Sequence, residues 1–257
     1  LGAARALSNF GSLQYRRGET AKAESSYSEA LATADALGDT KLAIKVRNHL
    51  GVLASDRGDA DGAIGHYEQC VALAKTLSND ALLAKAYHNL GLAHADRRDW
   101  VSADEQYEQA LELAQANGYG QLIGTTYLNR SELHLALSDA SQAAATCGKA
   151  LSVFRTSGDR LGEAEAYRVL GDIFARRGSG TSAIKMLDQS LEISQLANAP
   201  LEIAEAYRAK GLVCQRLGQT DIAAALLREA IRGFEQCDAT RDKAATEQDL
   251  ARVTRAA

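Results

Sequence analysis

The sequence predicts an all-α fold, a solenoid of about six stacked helix-turn-helix repeats, and three observations predict it. A forty-residue period runs through most of the chain, only one proline occurs in 257 residues, and alanine and leucine abound where β-branched residues are sparse. Proline interrupts helices and punctuates loops, so its near-absence favours helices with short connections. Alanine and leucine are good helix formers. A fixed period between 20 and 50 residues is the signature of a repeat architecture.

The markers of the period have physical reasons. Glycine recurs at Gly11, Gly51, Gly91, Gly171 and Gly211, with Ser131 in the remaining slot. A mid-helix glycine costs about 1 kcal/mol relative to alanine, so a neighbouring helix must pack where its side chain would be. Seven residues later Gly18, Gly58, Gly178 and Gly218, replaced by Arg98 and Ser138, end that helix in the left-handed region. An acidic residue often follows (Glu19, Asp59, Asp99, Asp139), which suits the start of the next helix. Ala23, Ala63, Ala103, Ala143, Ala183 and Ala223 let the two helices of a pair approach closely. Tyr27, Tyr67, Tyr107, Cys147, Leu187 and Leu227, with pairs such as Ala30-Leu31 and Ala110-Leu111, form one apolar stripe on the second helix. The spacing predicts helices over about 1–16 and 20–37, and at forty-residue increments thereafter.

The repeats are expected at about 1–40, 41–80, 81–120, 121–160, 161–200 and 201–237. Pro200 opens the first helix of the sixth, where proline is acceptable. Residues 240–256 depart from the pattern and read as an amphipathic helix capping the last repeat, giving a closing segment over 238–257. No matching cap precedes the first repeat. The opening Leu1-Gly2-Ala3-Ala4-Arg5 is neither a signal peptide nor a natural start, so a fragment of a longer protein is expected.

Ala86-Tyr87-His88-Asn89-Leu90-Gly91, then Asp99-Trp100, Ala103, Tyr107 and Ala110-Leu111, resembles the tetratricopeptide repeat consensus. The resemblance spans residues 1 to about 237. The usual period of that family is 34, so a uniform forty is similar to the sub-group of Pins/LGN-type scaffolds and bacterial regulator domains. It implies a right-handed superhelix whose first helices line a concave face. The family's groove-lining slots then select Arg5, Lys45, Lys85, Thr125, Glu165 and Glu205 as a leading row. Ser8, Asn48, His88, Leu128, Arg168 and Arg208 form the next, and Ser12, Val52, Leu92, Glu132, Asp172 and Leu212 a third. Arg16, Asp56, Asp96, Ala136, Arg176 and Arg216 form the last.

One further row reads Asn9, His49, Asn89 and Asn129, continued by Val169 and Ala209. Asparagine is a poor helix-interior residue. A ladder of its amides can donate to and accept from an extended peptide backbone; equally, it can tie one helix to the next. The leading row changes from basic to acidic along the chain. That pattern suits a ligand whose acidic part lies near the first three repeats, or is ordinary solvated charge. Ser8 and Ser12 stand where a carboxylate clamp of this family would need Lys and Asn.

Other functions are disfavoured. Net charge is −4, with 29 basic and 33 acidic residues interspersed, whereas nucleic-acid binding needs a basic footprint. No run is long and apolar enough to span a membrane. Cys70, Cys147, Cys214 and Cys237 lack metal-site or redox spacing and mostly occupy core slots, which suits a reducing cytoplasm. His94 with His134, and Glu132 with Asp172, share slots in adjacent repeats, but a metal needs three or four ligands. No phosphate loop, dinucleotide fingerprint or nucleophile elbow occurs. The expectation is a non-enzymatic interaction scaffold without cofactor or metal, holding a protein or peptide partner. Its candidate contacts are Asn9, Lys45, Asn48, His49, Lys85, His88, Asn89, Asp96, Asn129, Glu132, Arg168, Asp172 and Arg208. An effector-sensing segment of a larger bacterial regulator is the second reading, and self-association through the open first repeat a third.

Overall fold

The structure, a computed structural model, describes residues 2–255. Leu1, Ala256 and Ala257 lie outside the described residues, and with them the first residue of the expected opening helix and the tip of the closing one. Thirteen α-helices and no strand occur among the described residues, so the chain is an all-α helical-repeat solenoid. The first helices of the pairs are α1 (Gly2–Arg16), α3 (Thr40–Asp56), α5 (Asp80–Asp96), α7 (Gly120–Ala136), α9 (Arg160–Arg176) and α11 (Pro200–Arg216). Their partners are α2 (Thr20–Ala36), α4 (Ala60–Thr76), α6 (Trp100–Asn117), α8 (Ala140–Ser157), α10 (Gly180–Leu196) and α12 (Thr220–Gln236); α13 (Thr240–Arg255) follows. The chain folds as two compact units, one ending at Leu122 and the other beginning at Ile123.

Helix ends are set by short-range chemistry. The backbone N–H groups of Leu42, Gly62, Leu82, Ser102, Gln142 and Gly162 donate to the side chains of Asp39, Asp59, Asn79, Asp99, Asp139 and Asp159. Each bond satisfies one donor that a helix start leaves unpaired. Glu19 makes no such bond, and Pro200 takes the first-turn position that needs no donor. The turns between helices pass through the left-handed region, at Gly58 without a Cβ and at Arg98 (φ 62°) with one.

Within a pair, the mid-helix glycine faces the large residue of the second helix. A Cβ at Gly51 or Gly91 would stand 2.6 Å from the ring of Tyr67 or Tyr107, and one at Gly171 would stand 2.6 Å from Leu187. The fourth pair inverts the arrangement. Ser131, buried, takes the glycine slot opposite the smaller Cys147, and bulk moves to Phe154, which presses on Gly124 and Gly162. The large side chain changes position within the core, and swaps of this kind are tolerated best when they keep the core's volume. Tyr27, Tyr107, Phe154 and Phe234 are among the largest fully buried side chains.

In the first unit α1 packs on α2 and touches α3, and α3 touches α5; in the second α9 touches α11 and α11 touches α13. Helix α13 begins at Thr240, forty residues after Pro200, and buries Thr246, Asp249 and Val253. It packs on α12 and touches α11, the relation that α11 has to α10 and α9. Residues 240–255 therefore stand where the first helix of a further pair would lie. The altered pattern reflects Ala251 in the glycine slot.

Candidate functional site

In the first unit the exposed side chains of Arg5, Lys45 and Lys85 project from α1, α3 and α5. Lys45 Nζ donates to Asn9 Oδ1 at 3.4 Å, and Arg5 pairs with Asp39 at 3.4 Å. Lys85 has no carboxylate partner among the described residues. Asn89 Nδ2 donates to Asn48 Oδ1 across the α3–α5 junction, so these two candidate amides engage each other. His49 lies over Tyr27, rings 5.0 Å apart and nearly parallel, and its Nε2 is buried without a hydrogen-bond partner. His88 is buried, its ring 6.1 Å from that of Tyr107. Burial, with Lys45 and Lys85 adding to it, lowers the His49 pKa; burial and then Lys85 push His88 down to about 4. Both imidazoles are neutral at pH 7. Asp96 is exposed at the end of α5.

The second unit holds a groove of about 450 Å³. Its apolar lining is Leu135, Val169, Leu187, Ala209, Leu212, Val213 and Phe234. Charged side chains stand around it: Glu132, Arg168, Asp172, Arg176, Glu205, Arg208, Arg216 and Asp242. Asp172 pairs with Arg176 at 3.0 Å and Arg216 at 3.6 Å. Arg168 pairs with Glu205 at 3.4 Å and Glu165 at 3.8 Å, and Arg208 with Asp249 at 2.9 Å. Desolvation raises the Glu132, Glu165 and Glu205 carboxyls above the ordinary range, and Arg168 opposes the rise in all three. Asn129 is half-buried on α7.

A common geometry underlies these contacts. A residue eight positions into one first-helix repeat meets the fifth or ninth position of the next: Arg168 to Glu205, Asn48 to Asn89, Arg208 to Asp249. Sequence reading brought Glu132, Arg168, Asp172 and Arg208 to one face, and all four line the groove. It missed Asp242, Leu187 and Phe234. Counting the forty-residue register past Thr240 would have placed Asp242 beside Glu202; the two apolar residues belong to second helices, which the first-helix rows did not scan. Burial pushes the Cys70 and Cys147 thiols up to about 11 and about 12, so both are protonated packing groups at neutral pH. No helix among the described residues is long and apolar enough to cross a membrane.

The tetratricopeptide repeat family model matches residues 2–76, 42–116, 122–196 and 163–236. No curated protein matches the chain. Among solved structures it is similar to aspartyl phosphate phosphatase F from Bacillus subtilis, at 14% identity and TM-score 0.74 over 96% of this chain and 69% of that one. A Rap protein complexed with competence and sporulation factor is similar at 13% identity and TM-score 0.70, over 99% and 76%. BtubC from P. vanneervenii is similar at 21% identity and TM-score 0.69, over 84% and 91%. These matches support the family and not the finer likeness to Pins/LGN-type scaffolds. With its forty-residue helix pairs matched over 2–116 and 122–236, the chain belongs to the tetratricopeptide repeat family.

Proposed function

We propose that the chain is a protein–protein interaction scaffold that holds an extended or helical segment of a partner against its first-helix faces. The observation that carries this reading is the groove of about 450 Å³ in the second unit, apolar along Val169, Ala209 and Leu212 and polar at its walls. Such lining takes up aliphatic side chains while its charged groups fix orientation. In the first unit, Lys85 and the joined Asn48–Asn89 amides supply polar contacts on the equivalent face. The test is affinity capture from a lysate of the source organism, comparing the chain with Ala209→Trp, which fills the groove. Both proteins are first matched for helicity by circular dichroism. A partner retained by the first and lost by the second supports the reading; equal retention overturns it for this groove.

Two other readings have an observation each. A solved relative is a Rap protein complexed with a factor, which favours an effector-sensing segment of a larger bacterial regulator. That reading predicts that a small peptide, not a folded protein, is recovered from the groove. Phe10 and Leu13 on α1 are 52% and 37% exposed where their equivalents Leu50 and Leu53 are buried. This open apolar strip favours self-association through the first repeat, and light scattering at two concentrations tests it.

A further inference from the structure

Lys45 on α3 and Lys85 on α5 stand forty residues apart in one register, both with exposed side chains. Each precedes by about one turn the Asn48–Asn89 hydrogen bond that joins the two helices, so the lysines share one face and one end of it. Neither pairs with a carboxylate among the described residues; Lys45 donates to the neutral Asn9 amide at 3.4 Å. Arg5, the cation in the same slot of α1, is already matched by Asp39. The acidic residues of α3 and α5 nearest in register lie at the far end: Asp56 and Asp96 follow the lysines by eleven residues, about 16 Å along each axis. Asp56 is engaged there by the Tyr15 hydroxyl at 2.6 Å. The charges that act on His49 are Lys45 and Lys85, and the one that acts on His88 is Lys85. The buried Nε2 of His49 has no hydrogen-bond partner. The lysine end of this face is therefore positive and lacks a counter-charge.

We propose that this end of the first unit's face receives an extended acidic segment of a partner protein, with two side-chain carboxylates two or three residues apart, one on Lys45 and one on Lys85. The inference rests on the reading of the first-helix faces as partner sites and adds the chemistry and spacing of the occupant. The spacing follows from the helices. Packed helices lie roughly 8–10 Å apart axis to axis, and two or three residues of extended chain cover about 7–10 Å. Each contact is a charge-assisted hydrogen bond, stronger than a neutral one, and Lys45 gives up only a long bond to Asn9 to make it. A basic segment would meet two unpaired cations that repel it.

The test uses three labelled dodecapeptides in one serine–alanine background, with blocked ends so that aspartates are their only carboxylates. The first carries two aspartates three residues apart, the second the same two eight residues apart, and the third asparagine in their place. Anisotropy titration against the full chain, at low salt where exposed charges are least screened, is expected to show the first binding at least about fivefold more tightly than either control. Lys45→Gln with Lys85→Gln should weaken that binding about tenfold, the loss of roughly 1.4 kcal/mol. Lys185→Gln with Arg228→Gln, which removes the same charge from exposed positions of α10 and α12, should change it less than about twofold. The proposal is overturned if either control peptide binds as well as the first, if the Lys45 and Lys85 variant keeps full affinity, if both double variants weaken binding alike, or if the first peptide does not bind. Any of these leaves the scaffold reading standing as long as Ala209→Trp, in the other unit, still loses the natural partner.

Discussion

At Gly91 a Cβ would stand 2.6 Å from the Tyr107 ring and 3.3 Å from the carbonyl oxygen of Ala103. The ring is 1% exposed and the oxygen belongs to a helix backbone, so neither has room to retreat. Alanine would gain about 1 kcal/mol of helix propensity, but overpacking a filled core costs about 1–3 kcal/mol. Gly91→Ala should therefore destabilise the protein by about 1 kcal/mol or more. A Cβ at Gly65, in the middle of α4, would meet nothing within 4 Å, and Gly65→Ala should stabilise by about 0.5–1 kcal/mol. Urea midpoints of the two variants should move in opposite directions. A rise in both would remove the steric account of the repeating glycine and leave propensity alone to explain it.

The closing helix is fastened at one buried ion pair. Asp249, on α13, is 2% exposed and accepts Arg208 Nε at 2.9 Å, with Arg252 on its other oxygen. Removing one partner of a buried pair strands the other and costs about 3–5 kcal/mol. Arg208 is partly open to water, so Asp249→Ala should fall at about 3 kcal/mol or somewhat below. The loss should be read as faster amide hydrogen exchange in α11, α12 and α13, with α1 and α2 unchanged, because a helical repeat is coupled mainly to its neighbours. Uniformly faster exchange along the chain would contradict that locality. The helix pairs were legible in the sequence because glycine, alanine and tyrosine recur in one register with clear steric reasons. The pairing of first helices was not. A direction-sorted row shows that Asn48 and Asn89 share a face, but their hydrogen bond depends on helix crossing and side-chain reach. Asp249 lay outside every row because α13 carries Ala251 where the marker glycine would be.

Across the whole molecule, the shifted histidines and carboxylates divide between the two units with opposite signs. In the first, burial lowers His49, His66 and His88, and hydrogen bonds to Lys22, Arg57 and Ser102 lower Glu19, Glu24 and Asp99 respectively. In the second, burial raises Glu132, Glu165 and Glu205. A lowered pKa means that the unfolded state takes up the proton first, so stability is lost as pH falls; a raised one means the reverse. For His88 the loss begins at its ordinary 6.5 and continues to about 4. At about 1.4 kcal/mol per pH unit this amounts to about 3 kcal/mol. In the second unit, acidification relieves the three desolvated carboxylates as pH falls through their raised values toward 4.5. Hydrogen exchange at pH 7 and pH 5, corrected for intrinsic rate, should therefore show protection falling in α3–α6 and holding or rising in α9–α11. His88→Leu places there the side chain that its own equivalent, Leu128, already buries, so it should fold and should remove most of the first unit's acid response. If the variant keeps the full response, His88 is not its source. Parallel loss in both units would mean that acid acts through net charge and not through these buried groups.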